Sequence, residues 1–342
     1  MTEEIVILMV SLVVIVIASE LFTNAIETIG ARLEFSEGVT GSIFAAVGTA
    51  LPETMVPLVA IITGHKEAIG QEVGVGAILG APFMLSTLAM CLVGGAAWVY
   101  RGKRKSRRID PEPSGLRRDM EFFLFSFGLA FLVAFTPRPY HVLRLFVAFV
   151  LILSYIYYLL LTIRASSGLV EDGHSTEEPK STYISLFLKD HTFFVLIQML
   201  FALFLIIVGA KGFVRGVEHL AGPLHIPVIA LSLLIVPIAT ELPEKINSIL
   251  WTRRGKDTLA IGNITGAMVF QGSLLPAIGI FLTPWHINLT VLTSSLITLG
   301  AALWIYFLAR RKSGGLRPAF LIVNGALYLL FVYIVLHFSG IL

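Results

Sequence analysis

Charge is scarce in this chain. Only 14% of its 342 residues are Asp, Glu, Lys or Arg, against about a quarter in an average soluble protein. Mean hydropathy is +0.86, which excludes an ordinary soluble domain. Cysteine is almost absent: Cys91 stands alone in an apolar run, so an internal disulfide is excluded and a buried, inert thiol is expected. No ten-residue pattern of alternating polarity dominates, which argues against a membrane β-barrel. There is no Gly-rich nucleotide loop, nucleophile motif or redox pair. The eight histidines are scattered, mostly at the edges of apolar runs (His65, His141, His191, His225, His286), without metal-ligand spacing. Neither an enzyme nor a resident cofactor is expected. The N-terminus, Met-Thr-Glu-Glu, lacks the positive charge of a secretory signal, so residues 5–28 read as a retained first span.

What the chain has instead is a succession of apolar runs of about 20 residues, the signal of membrane-spanning helices. The expected fold is all-α and polytopic, with ten spans at about 4–30, 37–63, 70–99, 120–136, 141–163, 191–220, 226–251, 257–282, 287–309 and 317–338. Nineteen of the 25 Lys and Arg residues fall in the loops that follow odd-numbered spans, and three (Lys66, Arg138, Arg144) in or beside the others. By the positive-inside rule the odd-following loops are cytoplasmic and both termini lie outside, in a multi-pass protein of the cell membrane. The basic run 101–108 abuts an apolar span and reads as an anchor at the lipid surface, with no nucleic-acid partner. Trp98, Tyr100, Trp251, Trp285 and Trp304 lie near span ends and read as interface anchors. No obligate protein partner is evident.

The chain repeats itself. At an offset of 191 residues, Phe22, Glu27, Thr49, Leu51, Pro52, Glu53 and Gly64 recur as Phe213, Glu218, Thr240, Leu242, Pro243, Glu244 and Gly255. At an offset of 186, Gly76-Ala77-Ile78-Leu79-Gly80-Ala81 pairs with Gly262-Asn263-Ile264-Thr265-Gly266-Ala267. Five spans per repeat is an odd number, so the halves must have opposite topology. Residues 1–163 form the first inverted repeat, 164–190 a cytoplasmic linker and 191–342 the second repeat.

The centre of the repeat carries the chemistry. Glu53 and Glu244 lie deep inside spans 2 and 7, where an ionised carboxylate costs several kcal/mol unless it faces a bundle interior, a partner or an ion. Pro52 and Pro243 have no N–H to donate, so each helix should kink or open beside its glutamate. The freed carbonyls, the two carboxylates and the Thr49 and Thr240 hydroxyls make an all-oxygen set suited to Na⁺ or Ca²⁺. The glycines Gly74, Gly76, Gly80, Gly262 and Gly266 have the spacing of close helix approach. Asn263 is a further candidate ligand. Gln271 is a weaker one, able equally to bond a neighbouring helix.

These motifs resemble the sodium/calcium exchanger family of the cation/Ca²⁺ antiporter superfamily, whose two inverted repeats carry a Gly-Thr-Ser-x-Pro-Glu core in spans 2 and 7 and a Gly-Asn-x-x-Gly-Ser-Asn core in spans 3 and 8. The resemblance covers essentially the whole chain. It implies that Glu53 and Glu244 are the central Ca²⁺ and Na⁺ ligands, with oxygens from Thr49 and Thr240 beside them. It also implies that spans 1 and 6 are sliding gate helices, and that Ca²⁺ is exchanged for Na⁺ by alternating access. The transported ions and the bilayer are then the only partners. The sequence departs from the pattern at Ala50, Ala77, Ala81-Pro82 and Ala267-Met268, which removes several oxygens expected to hold Na⁺ and brings exchange against H⁺ or another cation into view. A passive channel or a transport-impaired scaffold is the remaining alternative. Glu241 stands where the family has Ser, and Lys245 follows Glu244. On a helix those two are four apart and can pair; alternatively Glu241 replaces the lost ligands.

Overall fold

A computed structural model gives the structure of residues 2–32, 45–63, 67–104, 106–171, 182–183, 191–310 and 315–338. The described residues are almost entirely helical. In chain order, α1 spans Thr2–Arg32, α2 Ala45–Thr63 and α3 Glu67–Met84. A π turn, Leu85–Ala89, joins α3 to α4, Met90–Val99. Next come α5 (Pro113–Val133), α6 (His141–Glu171) and α7 (Thr192–Leu224). Then follow α8 (Val228–Thr240) and α9 (Leu242–Arg253). The last three are α10 (Asp257–Leu282), α11 (Leu289–Ala309) and α12 (Pro318–Phe338). With α3–α4 and α8–α9 each taken as one interrupted crossing, the order fits ten spans in two inverted halves.

Local chemistry sets the ends. Glu112 caps α5, its carboxylate accepting from Ser114 N at 2.8 Å and Gly115 N at 2.5 Å, and Pro113 fills the first helical position. These amide hydrogen bonds outweigh its partial burial and hold the Glu112 carboxyl below its ordinary range. Asn288 caps α11 through Val291 N at 2.8 Å. His225 closes α7 in the left-handed conformation, φ 55°. Two spans depart from their sequence bounds: α5 begins at Pro113 rather than near 120, and α6 runs past 163 to Glu171.

Among the described residues, seven helical stretches are long and apolar enough to cross a membrane. The crossings outside that group are α2, α5 and the α8–α9 pair. Two of these, α2 and the α8–α9 pair, carry the repeated glutamates Glu53 and Glu244.

The two halves interlock. α3 lies against α8 so closely that a Cβ on Gly76 would meet Ile229 O at 2.6 Å, and one on Gly80 would collide with the Leu233 backbone. Ser232 Oγ donates to Val73 O at 2.7 Å across the same contact. The α10 glycines behave differently: a Cβ on Gly266 would approach only Tyr158 Oη, at 3.6 Å, and none of the described atoms lies within 4 Å of one on Gly262. The expected close approach thus belongs to the first copy of the motif.

Two surface expectations are corrected. Arg104, inside the basic run, is buried rather than at a lipid surface. Its guanidinium donates to both carboxylate oxygens of Asp257 at 2.8 and 2.7 Å, to Arg108 O at 3.0 Å and to Thr252 O. A buried carboxylate at the start of α10 draws the arginine in, as a fork-shaped donor can satisfy it fully. Arg101, Lys103 and Arg107 remain exposed. Trp285 is buried as well, its indole N–H donating to Ala130 O at 3.0 Å. That bond satisfies its one polar atom and lets the ring fill space beside Gly279.

Candidate cation site

α8 stops at Thr240, Glu241 takes φ −97° and ψ 5°, and α9 restarts at Leu242 with Pro243 in its first turn. Proline cannot return an N–H to the residue four before it, so the helix gives way here. The expected opening is therefore found in the second copy. In the first, α2 is helical without interruption from Ala45 to Thr63. The side chains of Thr49 and Pro52 lie outside the described residues.

The break turns Glu241 inward and puts Glu244 in the first turn of α9, where the helix dipole favours negative charge. One carboxylate oxygen each from Glu53, Glu241 and Glu244 lies within 4.8 Å of the others. Their relative exposures are 4%, 0% and 4%. Three carboxylates are thus gathered in the interior from α2, the α8–α9 break and α9. If ionised, two oxygens no more than 4.8 Å apart repel by at least about 3.5 kcal/mol at an effective dielectric of about 20. Such a cluster calls for a cation, for protons or for donors.

Gln271 supplies part of the answer. Its Nε2 donates to Glu53 Oε2 and Glu241 Oε1, both at 2.5 Å, and so bridges the two halves of the molecule. It faces the cluster from the middle of α10 and is fully buried. Three acceptors on these side chains are buried without a hydrogen-bond partner among the described residues: Glu241 Oε2, Glu244 Oε2 and Gln271 Oε1. Unpartnered buried oxygens are costly, and a hard cation is the species that oxygens satisfy in common.

The flanking residues hold the cluster in place. Asn263 Nδ2 donates to Glu244 O at 3.2 Å and Ser248 Oγ at 3.1 Å, joining α10 to α9. Thr240 is buried, its hydroxyl donating to Val236 O at 3.3 Å. Two alternatives were open for Glu241, and the geometry bears on both. Its carboxylate belongs to the cluster, and Lys245 Nζ donates to Pro237 O at 2.8 Å and Met84 Sδ at 2.9 Å. Beside α9, a cavity of about 390 Å³ opens between Val16, Ile17, Glu20 and Leu21 of α1, Tyr183, and Leu242, Ile246 and Asn247.

Sequence reasoning ranked Gln271 below its place in the structure; the available signal was an amide in mid-span. It missed a second polar knot. Asp119 accepts from Thr265 Oγ1 at 2.6 Å and Tyr158 Oη at 3.0 Å, tying α5, α6 and α10 together. The apolar run that marks span 4 starts after Asp119, so hydropathy alone puts this residue at the end of a loop.

Similarity to known proteins agrees with this architecture. Inner membrane protein YrbG of Escherichia coli (strain K12) is 25% identical over 251 residues, 73% of this chain and 71% of its own length. A solved H⁺/Ca²⁺ exchanger, CAX, shares the fold with a TM-score of 0.63 at 20% identity, over 98% of this chain and 88% of that one. The sodium-calcium exchanger NCX_Mj, in crystals soaked with Na⁺ and Sr²⁺, does so with a TM-score of 0.58 at 20% identity, over 97% and 98% of the two chains. The model of the sodium/calcium exchanger protein family matches residues 3–164 and 194–337. With both halves matched and an acidic cluster at their junction, this chain is a membrane protein of the sodium/calcium exchanger family.

Proposed function

We propose that this protein is a secondary-active antiporter of the cell membrane that carries Ca²⁺ by alternating access at a site formed by Glu53, Glu241 and Glu244. The observation that carries the reading is the gathering of three buried carboxylates within 4.8 Å, with acceptors left unpartnered around them. Hard oxygens in that number suit a divalent ion. Thr49, Thr240 and Asn263 complete the proposed ligand set, by side chain or by the backbone they hold. A transported cation is cargo, so no resident cofactor is needed.

Alternating access needs elements that slide. α1 and α7, spans 1 and 6, lie along each other. Gly209, Gly212 and Gly216 present a smooth face to Ile15, Ser11 and Leu8. Gln198 Nε2 ties the pair together through Leu21 O at 2.9 Å and Asn24 Oδ1 at 3.0 Å. Moving as a unit, they would open and close the cavity beside α9. The Lys and Arg bias supports an orientation with both termini outside and the arginine-rich 101–108 segment in the cytoplasm.

Membership of the family makes Na⁺ the first counter-ion to test. Exchange against H⁺ is the second reading, favoured by a specific observation. The Gln271 amide donates where a Na⁺ ligand would have to accept, and the extra carboxylate Glu241 offers a place for protons. Each ion is named for a relative with this fold. The test is ⁴⁵Ca²⁺ uptake into proteoliposomes under Na⁺, K⁺ or H⁺ gradients. Uptake that follows one of these gradients is expected, and Glu53→Gln or Glu244→Gln should abolish it. Uptake indifferent to every gradient would make the protein a channel, and none under any gradient a scaffold.

A further inference from the structure

We propose that Lys245 is a tethered counter-cation of the exchange site, one that takes the place of a transported monovalent ion and makes the exchange electroneutral. The inference rests on the exchanger reading above and adds the charge balance of the site. Lys245 is 5% exposed and directly follows Glu244 at the start of α9. Yet its ammonium is only loosely engaged. Among the described residues, two of its three donors are used, on Pro237 O and on the weak acceptor Met84 Sδ, and Pro237 O already accepts from Glu241 N at 3.2 Å. Glu241 Oε2 and Glu244 Oε2 have no hydrogen-bond partner among the described residues. A cation with a spare donor and carboxylates with spare acceptors are held on adjoining residues without being paired.

The charge count follows. Three carboxylates against one ammonium leave two negative charges. One divalent cation neutralises them on one leg of the cycle, and two monovalent cations do so on the return leg. A site with an uncompensated charge is costly to move through hydrocarbon, so these two loaded states are the ones that cross. The fixed ammonium also screens the carboxylates when no ion is bound. Without Lys245 the site would carry three negative charges, would hold Ca²⁺ more tightly, and would need three monovalent ions for the return.

Voltage reads this difference whichever monovalent ion is exchanged. Proteoliposomes with the full-length protein are given a K⁺ diffusion potential through valinomycin, and ⁴⁵Ca²⁺ accumulation is measured at a fixed counter-ion gradient. Wild type and Lys245→Arg should accumulate Ca²⁺ to the same ratio, within twofold, with or without the potential. In Lys245→Met, one net charge per cycle makes a potential of about 100 mV shift the ratio about 50-fold, one charge at that potential being worth ~2.3 kcal/mol. If Lys245→Met does not transport, equilibrium ⁴⁵Ca²⁺ binding to the purified variant decides: tighter binding than wild type supports the proposal, and equal or weaker binding overturns it. A voltage-sensitive wild type, or an active Lys245→Met that ignores voltage, also overturns it while leaving the exchanger standing. No gradient-driven uptake by the wild type would sink the exchanger reading and this inference with it.

Discussion

Replacing Glu241 by Gln removes one negative charge and keeps the shape of the side chain. The residue is 0% exposed, sits at the α8–α9 break and shares a cluster with Glu53 and Glu244. Packing should survive, since the amide fills the same volume and Gln271 can still donate to its oxygen. The loss falls on the bound cation. Removing one member of a buried, well-paired set of charges costs about 3–5 kcal/mol. At about 1.4 kcal/mol per tenfold, Ca²⁺ affinity should fall by roughly two to three and a half powers of ten. Equilibrium ⁴⁵Ca²⁺ binding to the detergent-purified protein measures it, and a thermal melt of the same sample monitors the fold. If Glu241 were only a partner for Lys245, the melt would drop and Ca²⁺ affinity would stay. A dissociation constant within threefold of wild type would therefore refute the placing of this carboxylate in the ion site.

The Arg104–Asp257 clamp is buried on both sides. Asp257→Ala should cost about 3–5 kcal/mol by stranding the arginine, seen as a lower melting temperature, and Arg104→Met in the same chain should recover part of it. Gly80→Ala should destabilise by about 1–3 kcal/mol, because the new methyl meets the Leu233 backbone, which cannot rotate away; the melt would show it. Orientation is tested by single-cysteine labelling in a Cys91→Ala background. Lys103→Cys is exposed and should react with a membrane-impermeant maleimide only in inverted vesicles; labelling in intact cells would reverse the topology.

The apolar runs were enough to find the helices. Spans 8, 9 and 10, read at 257–282, 287–309 and 317–338, match α10, α11 and α12 to within two residues. Hydropathy is a local property, and a bilayer demands about the same run of apolar residues from every span. It failed where charge interrupts a helix, at the start of α5, since Asp119 is paid for by Thr265 and Tyr158 from elements far along the chain. The same limit explains Arg104 and Trp285, whose partners Asp257 and Ala130 are 153 and 155 residues away.

By itself the sequence determined that this is a membrane protein built of two related halves of opposite topology, with glutamates at a repeated proline motif. Those facts are written in local composition and in the register between copies. Only the tertiary structure decided that Glu241 stands with Glu53 and Glu244, that Lys245 turns to Pro237 and Met84, and that Gln271 bridges the halves. Helical spacing alone allows Glu241 and Lys245 to pair. The backbone between them closes a helical turn, Lys245 N donating to Glu241 O at 3.2 Å, so what separates the side chains is what the opposing helices offer each one: the Gln271 amide to Glu241 and Met84 Sδ to Lys245.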